Sequence, residues 1–84
     1  MNKEQIERYV VEKLEDLYGR NNVVAKVYKD DPFNYIMITG MDKGFGSLDI
    51  ITMYHILNDV GYKIQAWVVK WDKNGLIFTI VATN

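Results

Sequence analysis

The sequence predicts an α+β two-layer sandwich, with a four-stranded, mainly antiparallel sheet carrying both helices on one face. Three observations lead there. Hydrophobic periodicity runs helix, strand, strand and then repeats, giving the order αββαββ. A faint echo accompanies that order: Ala25, Val27, Lys29 and Asp31 return as Ala66, Val68, Lys70 and Asp72, and Leu14 and Asp16 return as Leu57 and Asp59. Finally, 84 residues that are 49% hydrophobic suffice for one domain with one core and not for two.

The first helix has a start signal, because Asn2 followed by Gln5 forms a capping-box pair. Ile6, Val10, Leu14 and Leu17 then fall on one stripe, and Lys3/Glu7, Glu4/Arg8 and Arg8/Glu12 support the opposite face at i,i+4. Gly19 is a stop signal and Asn21-Asn22 a turn. Residues 23–29 alternate, with Val23, Ala25 and Val27 on one side and Val24, Lys26 and Tyr28 on the other. Residues 30–34 read as a turn, since Pro32 fixes φ and Asp and Asn favour turns.

Residues 35–39 form the second strand, and a glycine-bearing loop spans 40–46. Ser47 is the expected N-cap of the second helix, whose stripe is Ile50, Met53/Tyr54, Leu57 and Val60, with Gly61 at its end. Residues 62–71 form the third strand. Asp72-Lys73-Asn74-Gly75 is a hairpin signal, with Asn-Gly supplying the positive φ of a tight turn. Residues 76–83 are almost wholly apolar, which places the fourth strand centrally in the sheet.

If the echoed Ala and Val pairs face the helices, then Tyr28, Trp67, Val69 and Trp71 face away, joined by Lys26, Lys63 and Gln65. One sheet face then carries two Trp and a Tyr among lysines. A patch of that size is expected to be covered by a partner or shielded by lysine stems.

Composition narrows the function classes. A formal charge of −1 gives no global field for nucleic acid or anionic membrane. Without cysteine there are no disulfides or thiolate metal sites. The first residues lack the apolar segment of a signal peptide, and no run approaches the ~20 apolar residues of a membrane span, so a cytoplasmic location is expected. His55 is the single histidine, so a metal site is not expected, and pairing with Asp59 at i+4 accounts for it better than a catalytic role.

Lys43-Gly44-Phe45-Gly46 matches the opening of the ribonucleoprotein octapeptide, but there the motif lies on a strand, whereas a helix follows here at once. The same segment reads as a flexible connection, or as an anion cradle built from Gly40, Gly44, Gly46 and the N–H groups of the following helix.

Residues 35–84 resemble the first part of an ACT domain, a small regulatory module that often binds amino acids. The resemblance rests on the strand at 35–39, Asp42-Lys43-Gly44, Gly46-Ser47-Leu48, the helix at 49–60 with Gly61, and the hairpin at 63–82. ACT domains carry an Asp, a following Gly and an aliphatic residue at this turn. Asp42, Gly44 or Gly46, and Leu48 stand in those places, while the family's Pro before the Gly is missing and the loop is longer. ACT domains run βαββαβ. Moving their last helix and strand to the front gives αββαββ, so the resemblance implies a circularly permuted ferredoxin-like sandwich.

It further implies a non-catalytic ligand-binding or regulatory module that holds an amino acid or other small anion at a subunit interface. The ligand-binding residues would be Asp42, Lys43, Gly44, Gly46, Ser47 and Leu48. The residues themselves offer an alternative of a different class: a stand-alone adaptor or inhibitor that binds protein through Lys26, Tyr28, Lys63, Trp67, Val69 and Trp71. Either reading expects a homo-oligomer, a dimer first, or a protein partner. Neither expects a cofactor, a metal or a catalytic residue.

Overall fold

A four-stranded antiparallel sheet of order β1-β2-β4-β3 carries two helices on one side. The computed structural model describes residues 2–30, 33–42, 46–73 and 75–84, without the side chains of residues 30, 33, 42, 47 and 72. The elements are α1 (Lys3–Tyr18), β1 (Val23–Asp30), β2 (Phe33–Asp42), α2 (Ser47–Asp59), β3 (Lys63–Asp72) and β4 (Gly75–Thr83). Strand β4 is central, as its apolar run predicts. Helix α2 links β2 to β3 across β4, a split βαβ unit. The strand order is the one obtained by moving the last helix and strand of a ferredoxin-like sandwich to its front.

Local chemistry sets the helix ends. The Asn2 side chain accepts from Gln5 N and the Gln5 side chain from Asn2 N, each at 2.9 Å, completing the predicted capping box. Gly19 closes α1 with φ 93°, and its N–H donates to the Glu15 carbonyl. Helix α2 ends in a Schellman motif: Gly61 has φ 83°, its N–H donates to the Asn58 carbonyl, and Tyr62 N–H donates to the Leu57 carbonyl. Leu57 and Tyr62 are both buried, which supplies the apolar contact that accompanies such caps.

The core lies between sheet and helices. Ile6, Val10, Leu14 and Tyr18 come from α1, and Met53 and Leu57 from α2. They meet Val23, Ala25 and Val27 of β1, Ile36 and Ile38 of β2, and Leu76, Phe78, Ile80 and Ala82 of β4. Each fully buried Leu, Ile or Phe contributes roughly 1.5–3 kcal/mol from apolar burial. Two tyrosine–aspartate bonds rivet the antiparallel helices, Tyr9 to Asp59 at 2.9 Å and Tyr18 to Asp49 at 2.6 Å.

Several expectations need correction. The β1–β2 hairpin is tighter than the turn read at 30–34. Asp30 pairs with Phe33 and Lys29 with Asn34, leaving only residues 31 and 32 between the strands. Strand β2 also continues past Thr39 to Asp42, so Gly40 belongs to the sheet and not to the loop. Asp72 pairs with Gly75, so the residues joining β3 to β4 are 73 and 74, one position earlier than the Asn-Gly reading implied. Residue 74 lies outside the described residues. Gly75 has φ 132° at the start of β4.

The N-cap of α2 is Gly46, and Ser47 is the first helical residue. The exposed His55 lies edge-on to the ring of Tyr54, while Asp59, its expected partner, accepts from Tyr9.

The largest correction concerns β3. Ile64 pairs with Ala82 but Ala66 pairs with Val81, so Gln65 is an extra residue, a bulge. Directly opposed residues of an antiparallel pair share a face. Trp67, Val69 and Trp71 oppose Ile80, Phe78 and Leu76, whose side chains are buried on the helix side. Ala66, Val68 and Lys70 therefore take the open face, opposite to the expected assignment. One inserted residue reverses every later side chain because the strand period is two. The echo thus marks equivalent helix positions, Leu14 and Leu57 both being buried, but Ala25 and Val27 point inward where Ala66 and Val68 point outward.

Candidate functional site

The junction between β2 and α2 is the first candidate, and little of its expected geometry survives. A Cβ on Gly40 would lie 2.3 Å from Cζ of Phe78, so this glycine makes room for the ring of its β4 neighbour and not for a ligand. Lys43 and Gly44, with Phe45 of the ribonucleoprotein-like tetrad, lie outside the described residues, and Asp42 and Ser47 are placed by backbone alone. Leu48 is 79% exposed on the first turn of α2.

The electrostatics there are set by Asp49. Its Oδ2 accepts from Gly46 N at 2.7 Å and its Oδ1 accepts from the Tyr18 hydroxyl. A carboxylate at the third helical position already complements the positive end of α2, and it would repel an incoming anion. The arrangement serves helix docking.

The second candidate is the open face of the sheet. Cross-strand register places Tyr35, Met37, Thr39 and Met41 of β2 beside Ile77, Thr79, Val81 and Thr83 of β4. All eight are uncharged, and they form the middle of the face. On β1 the face continues with Val24, Lys26 and Tyr28, and on β3 with Lys63, Ala66, Val68 and Lys70; Asp30 and Asp72 hold the last register positions of the same face on these two outer strands. Val24 is 65% exposed and Val68 54% exposed. Four strands about 4.8 Å apart and eight residues long give a footprint of roughly 500 Å².

Register, not composition, makes this face apolar. Each strand sends its alternate residues outward, and the helices cover only the other side. Tyr28 and Tyr35 oppose each other and stack, with centroids 4.8 Å apart and planes at 15°. The Lys26 ammonium stands 5.8 Å from the Tyr28 ring centroid, a cation–π contact at the rim. Of the six predicted interface residues, Lys26, Tyr28 and Lys63 lie on this face. Sequence reasoning put Val24 on the side of Lys26 and Tyr28 without counting it in the interface, and it missed Tyr35, Met37, Met41, Val68 and Val81. The strand patterns at 35–41 and 77–83 were the available signal for four of them, Tyr35, Met37, Met41 and Val81.

The third candidate is the flank formed by α2 and the edge strand β3. Trp67 and Trp71 are 53% and 70% exposed there, although they belong to the helix side of the sheet. Val69, between them, packs against the core. Ile51 and Tyr54 of α2 are exposed as well. The opposite edge is protected, because Glu7 of α1 accepts from Val27 N of β1 at 2.7 Å.

A shallow polar depression bounded by Glu12, Glu15, Asp16, Arg20 and Asn21 lies at the C-terminal end of α1. Among the described residues no cluster of three or more His, Asp or Glu is suited to a metal ion. Among them, too, no helix is long and apolar enough to cross a membrane. Two tyrosines have raised pKa values, Tyr9 through its hydrogen bond to Asp59 and Tyr62 through burial. Both are accounted for by packing. No protein-family model, curated protein or solved structure matches this chain.

Proposed function

We propose that this protein is an interaction module that presents its open sheet face to another protein. One observation supports the reading above the others: the two central strands expose eight uncharged residues in a row, with the charges of the face on its outer strands. That is the anatomy of an interface, an apolar centre inside a polar rim. Met37 and Met41 suit the role, since thioether side chains repack against varied partners.

The ligand-binding reading implied by the ACT resemblance has less behind it, because Asp49 occupies the helix start where an anion would sit. The protein-interaction reading is tested by photo-crosslinking in living cells, with a photoreactive residue at position 37 or, as a control, at the exposed position 12 of α1. Defined adducts from position 37 that are absent from position 12 support it. Identical patterns from both positions, or none from position 37, refute it.

A further inference from the structure

We infer that the free edge of β3 pairs with the same edge of a second copy, antiparallel and about a two-fold axis at Val69, so that two sheets become one. This holds whatever binds the open face. It starts from where the edge backbone points. The Asn34 carbonyl accepts on the β4 side, from Asn84 N, whereas Met41 N donates on the β1 side, to the Asn22 carbonyl. Residues of an antiparallel ladder alternate in this way, so even-numbered residues of β2 bond to β4 and odd-numbered ones to β1. Register carries the alternation outward. Leu76, Phe78 and Ile80 bond to β2, and Ile77 and Thr79 bond to Lys70 and Val68 of β3. Trp67, Val69 and Trp71 therefore turn their N–H and C=O groups away from the sheet. The same count turns Val27 of β1 outward, where Glu7 accepts from its N–H. On β3, the last strand of the sheet order, no group among the described residues plays the part of Glu7. An edge left in that state is a template for another strand.

The residues with free backbone groups also carry the exposed rings. Trp67 is 53% exposed and Trp71 70% exposed, on either side of Val69. A strand docked here bonds to these three residues and sets its own side chains opposite theirs. It needs bulky apolar residues at alternate positions, and β3 itself has them. With the axis at Val69, that valine opposes its own copy, and Trp67 opposes Trp71 of the second copy on both sides of the axis. All three free residues are then used, each pair exchanging both of its backbone bonds. On the open face Lys70 opposes Val68 and the position of Asp72 opposes that of Ala66. An axis at Lys70 would oppose two lysines, and one at Val68 would set Trp71 against the bulged Gln65. Taking about 220 Å² for a whole indole side chain, the tryptophans of two copies offer roughly 550 Å². That is more than half of the ~1,000 Å² of a specific interface before the rest of the strand is counted. Opposed residues share a face, so both open faces lie on one side. Their footprints join into a surface of roughly 1,000 Å².

Sedimentation of the whole protein from micromolar to hundreds of micromolar tests the pairing, with folding of each variant checked by circular dichroism. A monomer–dimer equilibrium is expected, and Trp71→Lys should weaken the dimer at least about tenfold, as loss of a central tryptophan does. Met37→Lys should leave it unchanged. A monomer at every concentration overturns the inference. A dimer that Met37→Lys dissociates and Trp71→Lys does not would assign the open face to the second copy, and it overturns the inference as well. The register is tested separately, since the chain has no cysteine of its own. Trp67→Cys and Trp71→Cys proteins, mixed where the mixture is dimeric and mildly oxidised, should link to each other. Positions 67 and 71 of opposite copies then have Cα atoms about 5.5 Å apart, within disulfide reach. Each protein alone should link at least tenfold more slowly. No link in the mixture, or equal rates alone and mixed, overturns the axis at Val69. If Trp71→Lys does not fold, the cysteine pair decides alone. A monomer that takes up an extended apolar peptide, and loses it on Trp71→Lys, would assign the edge to a foreign strand and overturn the inference.

Discussion

The Tyr18 hydroxyl donates a 2.6 Å hydrogen bond to Asp49 Oδ1, tying the last turn of α1 to the first turn of α2. The same carboxylate accepts from Gly46 N through its other oxygen. One side chain thus starts a helix and anchors it to its neighbour. Tyr18→Phe keeps the ring against Phe78, whose centroid is 5.2 Å away, and removes only the hydroxyl. We expect it to cost about 1–2 kcal/mol in urea denaturation. Asp49→Ala should cost more by about 1 kcal/mol, because it also removes the α2 cap. Equal losses in the two variants would mean that the cap contributes nothing.

Two adjacent valines report which way β3 faces. Val69→Ala should cost about 1 kcal/mol, as deletion of partly buried methyl groups does, and Val68→Ala should stay within about 0.5 kcal/mol. Without the bulge at Gln65 the two effects would exchange. Thermal denaturation of the pair decides the matter.

Gly40 is expected to resist even alanine. With Phe78 only 2.3 Å from the added Cβ, the ring must move, and overpacking of this kind costs about 1–3 kcal/mol. Phe78→Leu in the same chain should relieve part of that cost. A double-mutant cycle measures the coupling, and strictly additive losses would exclude the contact as its origin.

Glu7 is expected to guard the β1 edge. Glu7→Ala frees the Val27 N–H now bonded to it, and the loss should be about 1–2 kcal/mol with greater self-association in light scattering. A variant with unchanged self-association and full stability would show that the edge needs no such cover.

Stability should decline on the alkaline side. Tyr9 and Tyr62 have folded-state pKa values above the ordinary 10.0, the first through its hydrogen bond to Asp59 and the second through desolvation. The unfolded chain releases these protons first. Their contribution is therefore complete below pH 10.0 and is lost as pH rises through the raised values. Tyr62→Phe should flatten the fall of the urea midpoint above pH 10.0, the ordinary tyrosine value. An unchanged slope would remove Tyr62 as a contributor.

Much of the scaffold was readable from local rules. Asn2 and Gln5, Gly19 and Gly61 act within a turn of where they stand, so their roles follow from residue type and spacing. The central place of β4 followed from an apolar run that only a strand flanked on both sides requires. The candidate surface was half readable. Lys26, Tyr28 and Lys63 lie where alternation puts them, whereas Trp67, Val69 and Trp71 do not, because nothing near Gln65 announces an extra residue. Gly40 looked like a loop glycine because its reason is Phe78, which lies 38 positions away.

By itself the sequence determined the six elements, their order, the start of α1 and the glycine ends of both helices, and most of each helix stripe, all products of hydrogen bonds and side chains within a few residues. It put Leu17 inward where Tyr18 is buried and Leu17 exposed, and capped α2 with Ser47 where Gly46 stands. The tertiary structure alone decided which face of β3 meets the core, that Gly40 admits the ring of Phe78, and that Asp49 joins two helices instead of leaving α2 open to an anion. Those outcomes depend on strand register and on contacts between residues far apart in the chain. A shift of one residue changes them without altering any local preference.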